Sequence, residues 1–135
     1  MNNVPTPHRR GAGAITAAVV AVALASAAVL CTAAPPDSSM AFIDTWRQAA
    51  ARPGGEAIAD LTVLPFLFQG RQLQRKEFVA QAVPALFTPA VRRCLQRAMP
   101  SREDGRQVLS CAPYGFVFAP TASGWRLVEF FADTP

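Results

Sequence analysis

Little in this chain has the residue types and spacing of a reaction centre. The only histidine is His8, ahead of a long apolar stretch. If that stretch is an export signal, His8 leaves with it, which removes Ser-His-Asp and Cys-His catalysis and histidine metal ligands. No cluster with metal-ligand spacing remains, and no motif calls for a cofactor. What is left for acid/base work is Asp60, Glu77, Glu129 and the lone Tyr114. A carboxylate and a phenol in an apolar cavity can exchange protons with a substrate if burial shifts their pKa values. Each also has a plainer reading. Asp60 and Glu77 fit helix-surface charges, Glu129 fits a strand residue meeting an arginine, and Tyr114 fits a core aromatic with a satisfied hydroxyl.

The chain has 135 residues and a net charge of +4. Arg9 and Arg10 precede an uncharged apolar stretch from about Ala12 to Leu30, followed by Thr32, Ala33, Ala34 and Pro35-Pro36. A positive start, an apolar middle and a small-residue exit are the three parts of a secretory signal. Residues 1–33 therefore read as signal peptide, residues 34–39 as a short tether and residues 40–135 as one domain. The expected location is periplasmic or secreted after cleavage. The alternative is an uncleaved anchor, since roughly 20 apolar residues can span a bilayer. Without Arg9 and Arg10, 11 basic residues face 9 acidic ones, too even a balance for a nucleic-acid face. Arg92, Arg93 and Arg97 read as a solvated helix face.

These residues need elements to position them. Met40, Ile43, Trp46 or Arg47, and Ala50 recur at helical spacing and predict a helix over 39–51, stopped by Pro53-Gly54-Gly55. Residues 56–61 read as a shorter helix and 62–69 as a strand, with Pro65 marking an edge, a bulge or a late start. Phe78, Val79, Ala82 and Val83 share a helical face that Pro84 closes or kinks. Thr88-Pro89 opens another helix, with Val91, Cys94, Leu95 and Ala98 as its apolar stripe. Residues 99–105 read as a loop. The end of the chain alternates as strands over 107–112, 114–118 and 125–132, with a turn at 120–124.

Cys94 on its helical stripe and Cys111 beside Leu109 would face one layer if that helix packs on that strand. In an oxidising compartment such a pair forms a disulfide. Alternation also sends Tyr114, Phe116 and Phe118 to one face, and Trp125, Leu127, Glu129 and Phe131 to the matching face of the next strand. These predict the wall of a ligand cavity, with Tyr114 or Glu129 as its polar end. The competing expectation is that the rings simply pack under the helices through Trp46, Phe78 and Leu95.

The closing Gly124-Trp125-Arg126-Leu127-Val128, with Phe116 to Phe118 before the turn, resembles the last hairpin of the nuclear-transport-factor-2-like superfamily. Within it the chain looks closest to small exported bacterial proteins of no assigned activity. The resemblance spans roughly residues 40–132. It implies an α+β fold in which N-terminal helices pack on a curved, cone-like antiparallel sheet. Enzymes of that superfamily use Asp, Tyr or His in the cone, and many members dimerise through the sheet. The leading expectation is thus an exported, non-catalytic binding or accessory domain taking a small apolar ligand or a protein partner. The alternatives are a small lyase or isomerase and a structural envelope module that pairs with itself.

Overall fold

The computed structural model describes residues 38–133, with Asn3, Gly11 and Gly13. Apart from those three residues, the signal segment read over residues 1–33 lies outside the described residues, as does most of the tether. Helix α1 (Ser38–Ala51) starts one residue before the helix expected over 39–51, at Ser38, which was read as tether. Its buried residues Ser39, Ile43, Trp46, Ala49 and Ala50 recur every three or four positions and make one stripe. Met40, expected inward, is 41% exposed. Counting one turn back from Ile43 lands on Ser39, whose hydroxyl accepts a 3.0 Å bond from the buried Gln107 amide. Helix α2 (Glu56–Asp60) follows.

Strands β1 (Phe66–Phe68) and β2 (Arg71–Leu73) form an antiparallel two-stranded sheet. Gln69 and Gly70 at its tip both have positive φ, 50° and 75°, the requirement of a tight hairpin turn. The strand begins just after Pro65, as a late start requires. Next come α3 (Arg75–Glu77), a π-helical segment (Phe78–Ala82) and α4 (Val83–Leu86). Pro84 does not close this helix. Proline lacks an N–H and crowds the carbonyl four residues back, and the wider π turn before it absorbs that break in the ladder. Helix α5 (Pro89–Leu95) starts as its sequence predicts, with the Thr88 hydroxyl accepting a 3.3 Å bond from the Val91 N–H.

The second sheet is an antiparallel meander, β3 (Ser101–Glu103), β4 (Arg106–Cys111), β5 (Tyr114–Thr121) and β6 (Gly124–Ala132), in that spatial order. The fold is α+β, helices with two antiparallel sheets. Strand β3 corrects the loop expected over 99–105. All three of its residues are exposed, so an edge strand of this kind carries no apolar alternation to read. The turn behind it, Asp104-Gly105 with φ of 49° and 77°, is a strong hairpin signal. On its far side the centre of β6 is covered by residues 61–63. The Val63 N–H donates to Leu127 O at 2.9 Å and the Leu127 N–H donates to Leu61 O at 2.8 Å.

Between helices and sheet lies an aromatic core. The Trp46 ring stands 4.8 Å from Phe118, 5.6 Å from Phe116 and 5.7 Å from Phe87, centroid to centroid. Cys94 and Cys111 tie α5 to β4, with an S–S distance of 2.07 Å and Cα atoms 5.7 Å apart.

Candidate functional site

One residue decides which side chains of β6 can act together. Val117 pairs with Glu129, but Phe118 pairs with Leu127, so Val128 has no partner in the ladder. An extra residue of this kind is a β-bulge, and every side chain beyond it changes face. Trp125 and Leu127 pack toward the helices, and so does Phe130, whose ring lies 5.7 Å from Phe68 and 6.0 Å from Tyr114. Glu129 and Phe131 point to the other side. This corrects the expected single face of Trp125, Leu127, Glu129 and Phe131. Simple alternation holds up to Leu127 and inverts after Val128.

The expected cavity wall is therefore divided. Phe116 and Phe118 have no exposed surface, and Tyr114 is half-buried against the same core. Rings from Trp46, Phe42 and Phe87 cover them. The Trp46 indole N–H is buried without a hydrogen-bond partner, so this interior offers it no polar group. Tyr114 and Glu129 lie on opposite faces of the sheet and do not form an acid/base pair.

The outer face of the sheet carries a groove of about 510 Å³. Its floor is Val108 and Val117, directly opposed in the β4–β5 register and each 5% exposed. Continuing that row across the sheet, Ser101 faces Val108 and Glu129 faces Val117. The Arg106 guanidinium lies 3.2 Å from the Glu129 carboxylate, diagonally over the valines. Glu103 and Asp104 close one end at the β3–β4 turn, and Phe131, level with Ser110 and Gly115 in the register, is the wall at the other end. Phe131 is 40% exposed. Its position depends on Gly115, its cross-strand partner. A Cβ on Gly115 would come within 2.1 Å of the Phe131 ring, so the ring lies across bare backbone.

Three carboxylates thus face one guanidinium around an apolar floor, on a chain whose net charge is +4. Among the described residues no three of His, Cys, Asp and Glu come together as a metal site. Chemically, the groove can hold an apolar group on the valines and a positive group at the rim.

The other singled-out residues are elsewhere. Asp60 is bound 2.7 Å from Arg75, which also holds Glu56 at 2.7 Å. These hydrogen bonds, to Asp60 first and then Glu56, keep the Arg75 guanidinium above its ordinary pKa. Glu77 sits half-buried at the end of α3. Arg93 and Arg97 are exposed, as expected, but Arg92 is not part of a solvated face. It is half-buried, desolvation lowers its pKa, and its guanidinium donates to backbone carbonyls. Sequence reasoning missed Glu103, Asp104, Arg106, Val108 and Val117. The signal that was present is Asp104-Gly105, which pairs the polar residues before it with β4.

In comparisons with known proteins, the chain matches no family model, no curated protein and no solved structure.

Proposed function

We propose that this chain is an exported, non-catalytic binding domain that engages a partner through the outer face of its four-stranded sheet. The observation that carries this reading is the sidedness of β6. The bulge at Val128 places Glu129 and the exposed Phe131 over a valine floor, while the helix-facing side is filled with rings. An exposed aromatic ring rimmed by charge has the character of an interaction site. Acid/base catalysis in an inner cavity has less support, because the phenol and the carboxylate that would share the work are separated by the sheet.

Export is supported by the composition of residues 1–33 and by the cysteine pair at disulfide distance. Helices first, an antiparallel meander last and Gly124-Trp125 opening the final strand support kinship with the nuclear-transport-factor-2-like domains and their cone. The four-stranded sheet would be a reduced version of it. The test is site-specific photo-crosslinking in the producing cell. A benzophenone side chain at Ser101, on the groove rim, should give a discrete adduct. The same group at Arg93, exposed on α5, should not. Adducts from Arg93 alone would contradict the reading.

A further inference from the structure

We propose that the groove recognises a basic, apolar peptide segment of a partner protein, one cationic side chain lying on the Phe131 ring and a neighbouring apolar one on Val108 and Val117. This rests on the reading of the outer face as the binding surface and adds the chemistry of the partner. One face of the Phe131 ring is spent on Gly115, and the ring is still 40% exposed. An aromatic ring fixed from below and open above is a platform for a cation, since its π face is negative. Glu129 flanks it two residues back on β6, and Glu103 and Asp104 close the far end of the groove, where Arg106 is the one cation among the described lining residues. The arginine of β6 itself, Arg126, turns instead to a separate hollow lined by Thr62 and Val63 near the β5–β6 turn. The local sign is therefore reversed from that of the chain as a whole, which complements a positive partner.

Glu129 is already bound to Arg106, but that pair is solvent-exposed, 57% and 50% on its two side chains. Exposed pairs are weak and exchange readily. An incoming guanidinium or ammonium can take the Glu129 carboxylate without breaking anything the fold depends on. Shape separates a peptide from a small organic cation. The groove is open along its length, and an enclosed pocket would be needed to bury most of a small ligand. Two or three side chains of an extended segment fill it without closure.

The test uses 15N-labelled protein expressed from the full-length sequence and two probes, dodecapeptides of alternating Arg and Leu and of alternating Glu and Leu. The Arg-Leu peptide should give saturable amide shifts at Val108, Val117, Glu129 and Phe131. Its affinity should fall several-fold between about 50 and 300 mM salt, as exposed charge contacts are screened. Phe131→Leu, which keeps apolar bulk and deletes the π face, should weaken binding by at least about threefold. Gly115→Ala should do the same with Phe131 still present, because it lifts the ring. Glu103→Gln with Asp104→Asn, both on exposed positions, should weaken it independently of any change in packing. Equal affinity in all three variants overturns the proposal. Shifts at these amides with the Glu-Leu peptide, or on concentrating the protein alone, also overturn it. They would leave the groove as a binding surface for an acidic partner or a second copy. No shift at the groove under any of these conditions would count against the surface itself.

Discussion

Arg92 shows how much a single side chain can do that periodicity hides. Its Nε donates to Phe87 O at 2.9 Å, and its NH groups reach Ala50 O, Arg52 O at 2.8 Å and Gly54 O at 3.3 Å. The last carbonyls of α1 and the Pro53-Gly54 turn lack partners of their own, as at every helix end, and this one guanidinium supplies them. The planar fork matters, because a lysine cannot meet that many acceptors in one geometry. We expect Arg92→Met to lower the unfolding free energy by about 2–3 kcal/mol. Arg93→Met, one residue along and exposed, should change it by no more than about 0.5 kcal/mol. Urea melts of the two variants check the contrast. Nothing in the sequence distinguished them. Both lie off the apolar stripe of α5, and apart from Phe87 O the carbonyls that Arg92 meets are about 40 residues away. Local patterns do not carry such contacts. Glu129 is the opposite case, since its meeting with an arginine was legible as a choice, though not which arginine.

At the scale of elements, the apolar periods were informative wherever one face is buried and silent where none is. Helix α1 was readable from Ile43, Trp46 and Ala50, and α5 from Thr88-Pro89 and its stripe. Strand β3 was invisible because Ser101, Arg102 and Glu103 are all exposed. The bulge at Val128 was hidden differently. Val128 and Phe130 are both apolar, and no local residue marks where the alternation inverts. Removing Val128 should be tolerated. Deletion joins Leu127 directly to Glu129, so strict alternation keeps Leu127 and Phe130 on the helix side and Glu129 and Phe131 outward, with the Phe118–Leu127 and Val117–Glu129 pairs retained. A loss of no more than about 2 kcal/mol is expected. Circular dichroism with a thermal melt reads it.

The junction of α2 with α4 is similarly tight. A Cβ on Gly55 would lie 2.7 Å from a Val83 methyl and 3.0 Å from its Cβ. Valine cannot swing away as a long side chain would, so Gly55→Ala should cost about 1–3 kcal/mol by overpacking. The same melt measures it. The Cys94–Cys111 link closes a span of 17 residues between α5 and β4. In the chain-entropy account a loop of that length contributes about 3 kcal/mol. Substituting both cysteines by serine should lower the denaturation midpoint accordingly, and thiol titration of the unreduced, denatured wild type should find neither Cys94 nor Cys111 free.

Taken as a whole, the described domain turns one side of its sheet to a filled aromatic core and the other to a charged groove. The architecture of helices before an antiparallel sheet was legible because its order follows from apolar periods and turn residues. The site was legible only in part. Glu129 was named, but with Tyr114, Phe116, Phe118 and Trp125, from which the sheet and the bulge separate it. The valine floor looked like ordinary strand residues because only the choice of the other face by the helices makes it a floor. The central claim is that the outer face is covered by a partner where the protein works. Hydroxyl-radical footprinting of the wild-type protein, in the intact producing cell and after purification, tests it most directly. Phe131 should be oxidised several-fold more slowly in the cell, while exposed Leu67 and Met99, outside the groove, keep the same rate in both. Equal oxidation of Phe131 in cell and in solution would contradict the account.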